Sequence, residues 1–489
     1  MKDNVKIKIH IPGGILSPGD LRKIVSAAHH FGTDYIHLGS RQDILLEVDS
    51  IYRTDVEEKF QALQYSYEFD ESKLNNIVTS FPAINIQPAT SWVTEGIYHQ
   101  LLSSFDYVPA LKVNITDPLQ TMTPLFLGQL NFIASPHYNY WYLYIRLKDD
   151  STRPKDIWPV LVDGVEIAEL SKVMEQILKE DPETTFENFE KEVYNRGSWN
   201  FRVNDNPLEF VRFHLPQYEG FHTQEEDKQW LGIFNTNNSY SVSFLEDLSI
   251  LCGQTDNGRI CLTNNKSLLI KNIADKDVYS WETLLGKHKI NTGHSSLELN
   301  WQLPDLDHEA YKLKNFIVRE FLKEEVRTDG LIFGIRTQPI DMASSISIER
   351  RAMIKIGKYH FIRHYRIRHK KDFDINSDET VFYAGYVKKR DLPAVLNYLT
   401  EQFYKRLILD NPLERNSAGP LKHEEESKKG KIVYQCKKCL SIYDPQFGDE
   451  SAGVAAGISF NELPSDYLCG VCEESRNSFI PIKMEKLTA

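Results

Sequence analysis

Ser17-Pro18-Gly19-Asp20-Leu21-Arg22-Lys23-Ile24-Val25-Ser26-Ala27-Ala28 is the stretch on which the plan of the large part of the chain turns. It reads as the start of a helix. Serine is an N-cap residue, proline suits the first turn because the N–H it lacks would be orphaned there, and Asp20 sets an acid three residues after the cap. Leu21, Ile24, Val25 and Ala28 fall on one apolar face, and Gly32 ends the helix. Upstream, Val5, Ile7, Ile9 and Ile11 alternate with Lys6, Lys8 and His10, the period of a half-buried strand. Downstream, two strands, Tyr35 to Leu38 and Ile44 to Val48, are joined through Gly39-Ser40-Arg41-Gln42-Asp43.

The same pattern returns 224 residues later without a gap. Ser241 stands where Ser17 stood, Leu245 for Leu21 and Leu248 for Ile24. Ile260-x-Leu262 matches Ile36-x-Leu38, and Leu268-Leu269-Ile270 matches Ile44-Leu45-Leu46. A repeat at so long a period implies duplication of a whole α+β unit. Two such halves would pack about a pseudo-two-fold axis and leave a cleft between them.

On these residues the chain resembles the sirohaem-dependent nitrite and sulfite reductases. The resemblance implies an α+β fold with ferredoxin-like half-domains at residues 1–75 and 236–300. Each is followed by a larger α+β domain, residues 76–235 and 301–408, and sirohaem would sit in the central cleft. Ser40-Arg41-Gln42 is similar to the family's T-x-R-Q segment, which implies that Arg41 faces a bound cofactor or substrate anion. A guanidinium fork suits carboxylates; the other reading of Arg41 is a surface turn residue. Lys112 only loosely matches the lysines that line the family's substrate pocket and is set aside. In the family, cysteines spaced C-x5-C and C-x3-C in the second large domain hold a four-iron cluster beside the sirohaem. Residues 301–408 contain no cysteine, so a cluster of that type is excluded.

Four of the six cysteines, Cys436, Cys439, Cys469 and Cys472, form two C-x2-C pairs separated by 29 residues near the C-terminal end. Each pair can curl around one metal ion, and two facing pairs close a tetrahedral S4 site suited to zinc or to a single iron. Spacing alone leaves both open. The intervening residues, including Tyr434, Tyr443-Asp444-Pro445, Gly448-Asp449, Phe460, Leu463-Pro464, Asp466-Tyr467 and Phe479, resemble rubredoxin. The resemblance implies a domain at residues 431–484 in which one iron, ligated by Cys436, Cys439, Cys469 and Cys472, carries one electron at a time. The five aromatic residues Tyr434, Tyr443, Phe460, Tyr467 and Phe479 would pack beside it. Leu440 and Glu473 depart from the family glycines after each knuckle, Gly470 from a proline and Tyr467 from a tryptophan. Glycine there permits positive φ. Residues 409–430, rich in Pro, Gly, Ser, Glu and Lys, read as a linker. The two remaining cysteines fall at core positions of the repeat: Cys252 matches Ala28, and Cys261 matches His37. They are expected to be buried apolar fillers.

Across 489 residues, 57 basic side chains stand against 69 acidic ones, a net charge of −12, with 41% hydrophobic and 26% charged residues. That balance argues against nonspecific binding to nucleic acid or to an anionic membrane. Met1 to Gly14 lacks the basic and apolar regions of an export signal, and no apolar run approaches the ~20 residues of a membrane span. A cytoplasmic protein is expected. His360, His364, Arg366, Arg368 and Lys370 form a basic stripe in a candidate strand, read either as a cleft lining or as a charged edge strand. There is no phosphate loop, dinucleotide fingerprint or nucleophile elbow. The expected function is electron transfer through the rubredoxin centre to or from a redox partner protein, in the context of nitrite or sulfite reduction. The alternatives are a sirohaem- or tetrapyrrole-binding reductase fed by its own rubredoxin domain, and a non-enzymatic assembly or docking protein with a structural zinc ribbon.

Overall fold

The computed structural model of the chain describes residues 4–61, 65–69, 73–148, 155–215, 218–293, 296–338, 342–356, 359–410, 431–438, 442–445, 448–449, 452–455, 457–470 and 472–484. They fall into two compact units, residues 1–409 and 410–489. Most of the expected linker, from residue 411 to 430, lies outside the described residues, as do Cys439 and Leu440.

The first repeat supplies Asn4–Ile9 (β1), Ile15–Leu16 (β2), Tyr35–Leu38 (β3), Ile44–Asp49 (β4) and Tyr67–Phe69 (β5). β1 lies antiparallel between β4 and β5, with Val5 opposite Val48 and Ile7 opposite Leu46. This register puts Val5, Ile7 and Ile9 on the buried face and Lys6 and Lys8 on the other, as the alternation in sequence requires. The helix Pro18–His30 covers the buried face. The Ser17 hydroxyl accepts from the Asp20 N–H at 3.0 Å, and Gly32, at φ +65°, follows the helix end.

Beyond this layer, Val78–Thr79 (β6), Val113–Thr116 (β7), Leu130–Ala134 (β8), Tyr140–Ile145 (β9), Asp156–Ile157 (β10), Val160–Asp163 (β11) and Phe201–Val203 (β12) make a second sheet. β6, β7 and β8 run parallel, and β9 turns antiparallel. The helices Ile167–Glu180 and Phe186–Arg196 bury Leu170, Met174, Ile177, Phe189 and Val193 in the same core as this sheet.

The second repeat gives Gly220–Glu225 (β13), Lys228–Ile233 (β14), Tyr240–Ser241 (β15), Ile260–Leu262 (β16) and Leu268–Ala274 (β17), with the helix Val242–Gln254 capped by Ser241. The two repeats trade strands. β2 leaves the first half to pair with β16, Leu16 opposite Ile260, while β15 leaves the second half to pair with β3, Tyr240 opposite Ile36. Leu16 and Tyr240 are equivalent in the repeat, as are Ile36 and Ile260, so the two exchanges are one contact seen twice about a pseudo-two-fold axis. A single hydrophobic core contains residues of both repeats, among them Ile24, Leu38, Leu248, Cys252 and Leu262.

A fourth sheet comprises Trp301–Gln302 (β18), Phe333–Arg336 (β19), Ile346–Ile356 (β20), Tyr359–Lys370 (β21) and Thr380–Val387 (β22), in that spatial order. It repeats the scheme of the second: three parallel strands and then an antiparallel return. The helices His308–Lys323 and Leu392–Asp410 lie alongside it, with Leu313, Ile317, Leu396 and Leu399 in its core. The basic stripe sits on β21, which is flanked by β20 and β22, so the edge-strand reading is corrected. One of its charges is matched, Arg368 to Glu349 at 3.5 Å, and the neighbouring Arg363 of the same strand pairs with Glu309 at 3.2 Å. The side chains of His360 and Ile362 lie outside the described residues.

The smaller unit holds Lys431–Cys436 (β23), Ile442–Tyr443 (β24) and Phe479–Met484 (β25), an antiparallel sheet with β23 in the middle. The whole is a mixed α+β molecule.

Candidate metal centre and central cavity

In the smaller unit, β23 ends on Cys436, and the turn carrying Cys469 and Cys472 returns beside it. The three sulfur atoms lie within 4.8 Å of one another, with Cys436 Sγ and Cys472 Sγ 3.6 Å apart. A tetrahedron with metal–sulfur bonds of about 2.3 Å has edges of about 3.8 Å, so this donor set fits one thiophilic ion. Cys436 and Cys469 are buried and Cys472 is half-buried. The second knuckle is closed by two backbone bonds of 2.8 Å, Glu473 N–H to Cys469 O and Cys469 N–H to Glu474 O. Glu473 holds φ +57°, the left-handed geometry that glycine adopts freely. The departure from glycine thus changes the residue and keeps the backbone, at a cost of about 1 kcal/mol.

The five aromatic residues pack on one another in the same small core as Cys436 and Cys469. Tyr434 stacks on Phe460 at 4.0 Å, Tyr443 meets Phe460 at 5.7 Å and Tyr467 at 5.8 Å, and Phe479 meets Phe460 at 5.5 Å. The Tyr467 hydroxyl donates to Asp449 at 2.7 Å, which satisfies the polar end of the ring.

The larger unit contains a cavity of about 470 Å3 whose wall includes Lys6, Lys8, Arg41, Asp43, Lys112 and Asn265. Lys6 and Lys8 come from the polar face of β1. Arg41 is only 9% exposed, and its Nη2 donates to Asn76 O at 2.8 Å, Val113 O at 3.0 Å and Asn114 Oδ1 at 3.3 Å. Beside it His10, buried, lies between two carboxylates: Nδ1 is 3.9 Å from Asp43 and Nε2 is 3.4 Å from Glu68. Burial, then the charges of Lys8 and Arg41, lower the His10 pKa to about 4. Burial raises that of Asp43 to about 7, against the opposing pull of Lys8.

The two turns at the cavity are equivalent in the repeat and do the same job with different side chains. Gln42 and Lys266 both have positive φ, +61° and +59°. Gln42 donates to Thr79 O at 2.9 Å, and Lys266 donates to Leu303 O at 2.9 Å and to Asp305 at 2.9 Å. Thr79 and Leu303 are themselves 224 residues apart. Each turn therefore fastens its half-domain to the sheet that follows, and the repeat runs at least this far.

Residues 433–479 match the Rubredoxin family. The chain is 37% identical over 49 residues to Rubredoxin-2 of Chlorobaculum tepidum, a match covering 10% of this chain and 94% of that protein. By this domain the chain belongs to the rubredoxin family. The rubredoxin domain is also 41% identical over 46 residues to the high molecular weight rubredoxin of Moorella thermoacetica, a match covering 9% of this chain and 20% of the Moorella protein. Residues 1–63 match the nitrite/sulfite reductase ferredoxin-like half domain. The solved structure of Mycobacterium tuberculosis NirA protein superposes with a TM-score of 0.62 at 13% identity, covering 82% of this chain and 81% of that one. The large part of the chain shares that fold.

Rubredoxin membership implies an iron bound by cysteines, and Cys436, Cys469 and Cys472 of the rubredoxin domain are brought together; Cys439 lies outside the described residues. Cys252 and Cys261 are buried in the larger unit. Burial pushes the Cys252 thiol up to about 12 and raises that of Cys261, so both stay protonated fillers. Arg41 is a buried residue of the cavity wall, and the surface-turn reading is corrected. Lys112, set aside on sequence, also lines the cavity. Lys6, Lys8 and Asp43 were missed. The signal for the two lysines was present: they are the polar face of a strand, which the presence of two halves could turn inward.

Proposed function

We propose that the chain is an electron carrier whose rubredoxin domain takes up and passes on one electron at a time, serving nitrite or sulfite reduction through a redox partner protein. The convergence of three thiol sulfurs within 4.8 Å on two tight turns carries this reading. Cys436, Cys439, Cys469 and Cys472 would be the ligands. A mononuclear iron held by four thiolates supplies a one-electron couple with little change of geometry. The protein's part is to hold the tetrahedron, to keep Cys436 and Cys469 away from water and to stiffen the turns through the backbone bonds of the second knuckle. The NirA-like scaffold, without cluster cysteines, would place the domain against its partner. Metal analysis with visible spectroscopy and voltammetry on the purified chain tests this. One iron per chain with a reversible one-electron wave is expected; stoichiometric zinc and no wave would replace the carrier with a structural zinc ribbon.

A second reading is favoured by one observation, the cavity of about 470 Å3 with Lys6, Lys8, Arg41 and Lys112 in its wall. These cations suit the carboxylates of a tetrapyrrole such as sirohaem, with Arg41 as a binding residue. The four-iron partner has no cysteines in residues 301–408, so the family's coupled centre does not fit this chain. Absence of a sirohaem absorption band after reconstitution would remove this reading. Among the described residues no helix is long and apolar enough to cross a membrane.

A further inference from the structure

The rubredoxin domain carries an ion pair that bridges its two cysteine turns. Lys438 lies between the two cysteines of the first C-x2-C pair, and Glu474 stands two residues after the last cysteine of the second. Lys438 Nζ donates to Glu474 Oε1 at 2.8 Å, and Ser478 Oγ donates to the other carboxylate oxygen at 3.2 Å, which fixes the acid's orientation. The same Glu474 accepts the Cys469 N–H through its backbone carbonyl at 2.8 Å. Lys438 is two residues from Cys436 and next to Cys439, and Glu474 is two residues from Cys472, so both charges of the pair belong to the turns that carry the candidate ligands.

We propose that Lys438 and Glu474 form a matched charge pair that sets the reduction potential of the centre, Lys438 favouring the reduced state and Glu474 cancelling that bias. This rests on the electron-carrier reading above. The reduced centre, Fe2+ with four thiolates, carries one more negative charge than the oxidised one. A fixed positive charge nearby therefore stabilises the reduced form, and a fixed negative charge opposes it. The pair contributes little to stability because it stays open to solvent, Lys438 being exposed (64%) and Glu474 only half-buried (34%). Its net field is small only while both partners are present. Removing one unmasks the other, so the two single substitutions must act with opposite signs. A packing role would give shifts of one sign or none.

The test is voltammetry of the full-length, iron-loaded chain. Lys438→Gln is expected to lower the reduced-to-oxidised ratio at a fixed applied potential by about threefold, equivalent to roughly 28 mV at 59 mV per tenfold for one electron. Glu474→Gln is expected to raise it by a similar factor. The double variant should return close to the parent, Lys438→Arg should keep the parent potential, and the single shifts should shrink as salt is raised. Single-variant shifts of the same sign, or unchanged potentials with iron content and spectrum intact, would overturn the proposal. A parent chain without a reversible wave would defeat the electron-carrier reading itself, a result distinct from either of these.

Discussion

The rubredoxin domain and the central cavity are built in opposite ways. In the first, the candidate chemistry sits on two short turns within one small unit, and its residues announce themselves by type: the cysteines of two C-x2-C pairs and five aromatics. In the second, β1, the turn after β3, the segment before β7 and the second repeat each contribute one or two ordinary polar side chains, and only the assembled fold makes them a site. A local site can be carried from one protein to another as a unit. A dispersed one depends on every element that frames it.

The largest effect expected from this contrast is at the cysteines. Cys436→Ser or Cys469→Ser should abolish metal occupancy, measured by elemental analysis, while thermal unfolding of the larger unit stays unchanged. Cys252→Ala should leave occupancy at the parent level, and metal loss there would undo the assignment of that residue to the core.

The cavity should respond through pH instead. Asp43, with its pKa raised from 3.8 to about 7, holds a proton in the fold that the unfolded chain releases, so its contribution to stability falls as pH rises from about 4 to 7. His10, lowered from 6.5 to about 4, is neutral in the fold where the unfolded chain is charged, so its contribution falls as pH drops from 6.5 to 4. The two trends oppose each other over a shared window and nearly cancel. Asp43→Asn should uncover the histidine, with urea unfolding showing a loss relative to the parent on the order of 3 kcal/mol between pH 6.5 and 4. His10→Gln should uncover the acid, with the loss appearing as pH rises from 4 to 7. Two variants that both track the parent's profile would show that the cluster is electrostatically idle.

Smaller effects sharpen the comparison at the backbone. Glu473→Gly should stabilise the metal turn by about 1 kcal/mol by removing the left-handed strain, read from the denaturant midpoint for loss of the iron band. Ser17→Ala and Ser241→Ala should each cost about 1 kcal/mol in chemical unfolding of the larger unit, and near-equal values are expected because the two caps occupy equivalent places.

Much of the architecture was legible. The N-caps at Ser17 and Ser241, the period-two strand from Val5 and the 224-residue spacing led to two halves of one α+β plan. The candidate metal turns stood out because ligand chemistry admits few substitutes for cysteine, and three of the four sulfurs are brought together. The strand exchange was not, since β2 and β15 are two residues long and their pairing partners lie in the other repeat. Nor was the cavity wall. Lysine on the second face of a strand reads as simply solvated, whether or not other elements wall in the space beside it, and Asp43 in a glycine turn reads as a turn former. The basic stripe misled for a related reason: Arg368 on β21 looks unpaired until Glu349 arrives from β20.

The reciprocal strand exchange has a bearing on how such a chain comes to exist and how it folds. Either repeat made alone would lack the strand that completes its sheet, leaving β3 or β16 as an open edge ready to capture another molecule. Two identical copies would satisfy one another in the same manner, as a symmetric swapped dimer. In this chain the equivalent contact is intramolecular, between residues more than two hundred positions apart. Its sheets can close only late, after both halves have been synthesised, so the emerging polypeptide carries a sticky first half until the second leaves the ribosome.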